Sequence, residues 1–172
     1  MTRRLRLCAL LTTLVAGLTL ASNSVASAAP TAKPSVQAQI DIFLKSHPTA
    51  RQTAPDQVQL IDTPKQKAMM RFGTDAISDC PAPYSCWWEH INFEGQMLGF
   101  FGVCGQTLNL FEIGWNDRIS SSWNRDSISY QVDDTDPFGT RVFMFIAEPG
   151  FFSSDWRNLG ANDRADWLQA LC

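Results

Sequence analysis

Apolar positions along this chain fall into three regimes with different periods. Leu7 to Ala21 is a nearly unbroken apolar run behind Arg3, Arg4 and Arg6, followed by small residues through Ala26-Ser27-Ala28. Charged, apolar and small segments in that order predict a secretory signal peptide cleaved after Ala28. At 15 residues the run is shorter than the ~20 a helix needs to cross a bilayer. Val36, Ile40, Phe43 and Leu44 then recur at helical spacing, with Ser35 placed to cap the helix and Pro48 to end it. Gln57 to Ile61 alternates as a short strand, and 62–79 is polar and mixed. From Cys80 onward helical spacing gives way to dense Trp and Phe in short runs punctuated by glycine. Tyr84–Trp88, Met97–Phe101, Ser127–Val132 and Arg141–Ile146 are predicted strands, with Gly95, Gly102, Gly105, Gly114 and Gly139 at turns or bulges. Strands this short and close predict an all-β antiparallel sandwich. The predicted organisation is a signal peptide over 1–28, an extension with one helix over 29–78, and the sandwich over 79–172.

One polar segment occurs twice. Asn116-Asp117-Arg118-Ile119-Ser120-Ser121 is echoed by Asn162-Asp163-Arg164-Ala165-Asp166-Trp167, and a glycine precedes each copy by one residue, Gly114 and Gly160. Asn-Asp and Ser-Ser pairs make turns on their own, but two unrelated turns rarely share Gly-x-Asn-Asp-Arg. The repeat predicts a duplicated unit, with halves of about 80–126 and 127–172, each the size of a four-strand Greek key. Its carboxylate, amide and hydroxyl oxygens suit a hard cation.

Charge and cysteines narrow the setting. Of the 14 Lys and Arg side chains, three leave with the leader, so 11 remain against 17 Asp and Glu, a formal charge of about −6. That balance argues against nucleic acid and anionic lipid as partners. No later segment is apolar enough to enter a membrane, so the mature chain is expected to be exported, soluble and monomeric. Cys8 leaves with the leader; Cys80, Cys86, Cys104 and Cys172 remain, an even set that predicts two disulfides in an exported chain. Three pairings are open, and proximity favours Cys80 with Cys86. Zinc is disfavoured, because neither Cys-x-x-Cys spacing nor a His cluster is present.

Trp88-Glu89-His90-Ile91-Asn92-Phe93-Glu94-Gly95 fits the βγ-crystallin Greek-key signature, and Asn116 to Ser121 fits that superfamily's calcium loop. Cys80-Pro81-Ala82-Pro83-Tyr84-Ser85-Cys86, Cys104-Gly105 and Ser121-Ser122-Trp123-Asn124 narrow the likeness to one group. The chain resembles the secreted actinobacterial peptidase-inhibitor family typified by the streptomycete metalloproteinase inhibitor, over about residues 78–167. The resemblance implies a βγ-crystallin-like sandwich of two Greek keys, no enzymatic activity, and a secreted metalloprotease as partner.

The resemblance also implies calcium. Each superfamily site draws on the polar loop of one half and the hairpin of the other. Carried over, Ser120 and Asp117 serve one site with Asn116 beside it, and Glu89 is the hairpin contributor of the first half. Glu148 is its expected counterpart in the second half, where alignment on the two glutamates sets Phe152 against Phe93 and Ser154 against Gly95. Asn162, Asp163 and Asp166 complete the second loop, with Asp166 where a hydroxyl is expected. The alternative function is therefore a calcium-binding structural module of the envelope or extracellular space. Two segments could present an inhibitory loop braced by a disulfide, Pro81–Ser85 and the surroundings of Cys104-Gly105. His90 is the only histidine after the extension, and no Gly-x-Ser-x-Gly elbow is present, so a hydrolase is disfavoured. Trp87, Trp115, Trp123, Trp156 and Trp167 would stack on sugars only if exposed, and core filling is the more ordinary role.

Overall fold

The structure, a computed structural model, describes residues 33–172. The signal-peptide prediction and Cys8 lie outside the described residues. Helix α1 (Val36–Ser46) forms where the three-and-four spacing predicts it, and the Ser35 hydroxyl accepts from the Ala38 amide at 3.2 Å. Eleven strands follow: β1 (Arg51–Ala54), β2 (Gln57–Asp62), β3 (Gln66–Thr74), β4 (Ser85–Trp88), β5 (Gly95–Gly102), β6 (Thr107–Asn109), β7 (Ser121–Asn124), β8 (Tyr130–Thr135), β9 (Arg141–Ala147), β10 (Phe152–Ser153) and β11 (Trp167–Ala170). Among the described residues no helix is long and apolar enough to cross a membrane.

The strands make two antiparallel sheets, ordered β1-β2-β3-β5-β4-β7-β10 and β6-β11-β8-β9. Strands β4 to β7 form one Greek key and β8 to β11 the other. Each key gives its third strand to the sheet of its partner: β6 pairs with β11, and β10 pairs with β7. Neither half can therefore close its sheet alone. Cys80 bonds to Cys86 and Cys104 to Cys172. The second bridge ties the last residue to the turn after β5.

The expected separation of 29–78 from the sandwich does not hold for its described part. Lys33–Cys172 is one compact unit. Strand β3 lies between β2 and β5, with Met70 opposite Leu98 and Met69 opposite Gly99. The alternation over 57–61 predicts one strand in the extension, and three are present. Strand β3 escapes the alternation rule because both of its faces are covered. Met70 enters the main core with Trp87, Leu98, Phe100, Tyr130, Trp156 and Leu168. Met69 enters a smaller cluster with Cys80, Cys86, Trp88, Phe93 and Met97.

Edge-to-face rings organise the main core. Trp87 meets Tyr130 at 6.4 Å and Trp156 at 5.8 Å, and Phe145 meets Trp156 at 4.9 Å. The Tyr130 hydroxyl donates to Asp126 and accepts from the Gly102 amide, so it joins the second key to the end of β5. Burial first, and then the Asp126 carboxylate, hold that phenol far above its ordinary range.

Candidate functional site

The two Asn-Asp loops meet each other. The Asp117 amide donates to Ala165 O at 3.1 Å, and the Asp163 amide donates to Ile119 O at 3.0 Å. Asp117 and Asp163 both take a positive φ, 55° and 52°, which an aspartate tolerates better than most residues. Each follows a left-handed glycine, Gly114 or Gly160, that ends a short 3₁₀ turn. Arg118 donates to Gly114 O at 3.1 Å and Arg164 to Gly160 O at 2.9 Å. Asn116 and Asn162 each donate to the carboxylate that follows them, at 3.0 and 2.5 Å. The loops are thus related by an approximate twofold, as the repeated sequence predicts.

The twofold also assigns the hairpin partners. The Ser120 amide donates to Trp88 O at 2.9 Å, and the Asp166 amide donates to Asp133 O at 2.9 Å. Trp88 therefore matches Asp133, and Glu89 matches Asp134. The ion pairs agree: Arg118 holds Glu89 at 2.5 Å and Arg164 holds Asp134 at 2.7 Å. Glu148, the expected counterpart of Glu89, lies elsewhere; it is exposed, and its carboxylate accepts from Ser129. The second signature hairpin is β8–β9, with Phe138-Gly139 at its tip, not the segment around Phe152 and Ser154. Alignment of the halves on glutamate misplaces it, because the true counterpart is an aspartate in a hairpin of different length.

A second correction concerns which loop serves which place. The superfamily pattern puts Ser120 in one site with Asp117. Instead its hydroxyl faces Glu89 O at 2.8 Å and Asp163 Oδ1 at 2.9 Å, so the aspartate comes from the other loop. Asp117 in turn groups with Asp134 and Asp166, with one oxygen of each within 4.8 Å of the others. The crossing follows from the reciprocal backbone bonds, which turn each second loop residue toward the opposite half. Sequence reasoning missed Asp134; the signal available was its spacing, four residues before Phe138 as Glu89 stands four before Phe93.

Both places offer only oxygen, the donor set of a hard cation. Their electrostatics differ. At the first, the Ser120 hydroxyl is neutral and its partners satisfy it. At the second, Asp166 is 2% exposed and its Oδ1 has no hydrogen-bond partner. Burial pushes the Asp166 carboxyl above the usual range; Thr135 pulls it back, and the charges of Asp117 and Asp134 push it up again. A divalent cation would relieve that repulsion. Arg118 and Arg164 compete for the neighbouring acids.

The remaining candidates are structural. Trp87, Trp115 and Trp156 are fully buried, which removes them from sugar stacking. The half-buried Trp123 and Trp167 have Arg125 and Arg141 over their faces at 4.6 and 4.9 Å. His90 sits in the β4–β5 hairpin, where its carbonyl accepts from Ser121 and its ring lies against Gly95. Gly95 has φ +90°, and a Cβ there would stand 2.9 Å from the His90 ring. Phe93 caps this hairpin by packing on Trp88 and Phe152.

No curated protein matches the chain. A solved structure described as "Evolution of the eye lens beta-gamma-crystallin domain fold" is similar over 60% of this chain and 95% of its own, with TM-score 0.47 and 16% identity. The two disulfides are compatible with an oxidising, extracellular setting. The family model of peptidase inhibitor family I36 matches residues 73–144, which span the first Greek key, β8 and the start of β9, and this likeness points to a non-enzymatic protein with a protease as its partner.

Proposed function

We propose that this chain is a secreted inhibitor of an extracellular metalloprotease. The observation that carries the reading is the inhibitor-family match over residues 73–144. The motif Cys80-Pro81-Ala82-Pro83-Tyr84-Ser85-Cys86 within it, whose likeness is to the metalloproteinase-inhibitor group, supports the narrower target. A braced scaffold suits inhibition, because two disulfides and exchanged strands leave little entropy to be lost on binding. The test is titration of a thermolysin-type metalloprotease with the purified mature protein at constant free calcium. A sharp stoichiometric end point is the expected result. Undiminished protease activity at large molar excess, across several secreted metalloproteases, would reject the reading.

A second reading has its own support. The unpartnered buried oxygen of Asp166, beside Asp117 and Asp134, favours a calcium ion at the crossed loops. Asp117, Asp134 and Asp166 would hold it, and Glu89 O, Ser120 and Asp163 would form the twofold-related place. The ion would supply charge neutralisation and would clamp the two keys together. In that case the chain is a calcium-stabilised structural module, a role compatible with inhibition.

A further inference from the structure

Among the described residues, Phe138 is the most exposed large apolar side chain, at 93%; Ile42 and Phe152 follow at 63% and 61%. It stands at the tip of the β8–β9 hairpin, and that tip is pinned. The Asp136 carboxylate accepts from the Phe138 and Thr140 amides at 2.9 and 2.8 Å. The Asp136 amide donates to Thr140 O at 2.9 Å, and the Gly139 amide donates to Asp136 O at 2.9 Å. Pro137 fixes its own φ, and Gly139 takes φ +84° to close the turn. An aromatic ring left wholly in water on an ordered loop contributes nothing to the fold.

The two disulfide-braced loops offer no such side chain. In Pro81–Ser85 the exposed residues, Ala82 and Pro83, are small, and Tyr84 is half-buried with its ring edge-on to Phe101. Beside Cys104 the exposed large apolar side chain is Val103, at 38%. Beyond the tip, β9 is the outer strand of its sheet and leaves Val142 and Phe143 exposed.

We propose that Asp136 to Thr140 is the element that enters the protease's substrate cleft, with Phe138 filling an apolar specificity pocket. This rests on the inhibitor reading and names its contact element. The physical case is preorganisation. A rigid tip loses little freedom when it docks, and a single buried aromatic commonly dominates an interface. Bound this way, β9 would offer its unpaired backbone groups to the cleft wall as an added strand. The partner is a protease that accepts large apolar side chains.

The experiment measures inhibition constants for the full mature chain and its variants against secreted metalloproteases that cleave beside large apolar residues. Phe138→Ala is expected to weaken inhibition at least about thirtyfold, with little change in melting temperature, because the residue is 93% exposed. Asp136→Ala, which loosens the tip but keeps the ring, is expected to weaken it about tenfold. Phe138→Trp should retain most of the activity, and Pro83→Ala should stay within about threefold of the parent. If the parent inhibits and Phe138→Ala inhibits equally well, this proposal is overturned and the inhibitor reading stands. If the parent inhibits none of the proteases, both fall.

Discussion

Ser120 and Asp166 hold the same place in the two Greek keys, after the same Asn-Asp-Arg turn and against the same hairpin carbonyl. One is a neutral hydroxyl whose single proton is shared between two acceptors, Glu89 O and the Asp163 carboxylate. The other is a buried carboxylate facing two more acids. At the first place a neutral hydroxyl faces one loop carboxylate, whereas at the second three carboxylates face one another. The keys differ in the same sense one residue before the turn: the first loop buries Trp115, and the second has Ala161. At the hairpins, buried Trp88 is matched by buried Asp133, which survives because Arg141 pairs with it. Backbone geometry is preserved across the repeat while side-chain chemistry is free to diverge. The first key is built to pack, and the second is built around charge.

The strongest way to break this contrast is at Trp115. It is fully buried, and its indole N–H reaches Met70 sulfur at 3.1 Å. Trp115→Ala should destabilise the protein by about 3–5 kcal/mol, measured by urea unfolding. A loss below about 1 kcal/mol would show that the first key does not depend on its aromatic filling.

The charge contrast is sharpened by calcium. At a hundredfold excess over its dissociation constant, calcium should add about 2.7 kcal/mol, raising the melting temperature on the order of 5–10 °C. Asp166→Asn should remove most of that gain and Ser120→Ala should reduce it. In calcium-free buffer the sign reverses for Asp166. Its folded pKa is raised, so its contribution to stability is full below the ordinary aspartate value of about 3.9 and is lost as pH rises through the folded value. Asp166→Asn should therefore stabilise the calcium-free protein at neutral pH and flatten its stability over that window. A calcium response unchanged in Asp166→Asn would sink the assignment.

The two hairpin glycines give the smallest effect. Both have positive φ, but a Cβ at Gly95 meets the His90 ring, whereas one at Gly139 meets nothing within 4 Å. Gly139→Ala should cost about 1 kcal/mol from φ alone, and Gly95→Ala about 2–3 kcal/mol. Equal thermal shifts for the two variants would show that the His90 contact carries no weight.

Local patterns were legible wherever one rule governed a segment. Helix α1 follows from the spacing of Val36, Ile40, Phe43 and Leu44 and from the Ser35 cap. Strands β4, β5, β8 and β9 follow from short apolar runs between turn residues. The two-key architecture was readable because the Asn-Asp turn is repeated. Four cysteines predicted two bridges, and proximity favoured the first. Strand β3 was not legible, since a strand covered on both faces has no alternation to read. Strands β6 and β10 were not legible either: they are three and two residues long and exist only because the opposite key supplies a partner.

The amino-acid sequence by itself determined the class of fold, the duplicated loops and the residue types available to them. Local spacing and turn chemistry are written in neighbouring residues, and they need no knowledge of distant ones. Only the tertiary structure decided that Asp163 faces Ser120 and that Asp117 faces Asp166, because reciprocal backbone bonds between the loops cross the halves. It also decided that Asp134, not Glu148, stands opposite Glu89, since hairpin length is set by pairing across β8 and β9. And it left Phe138 alone in water, because whether a ring is buried depends on which distant segments arrive to cover it.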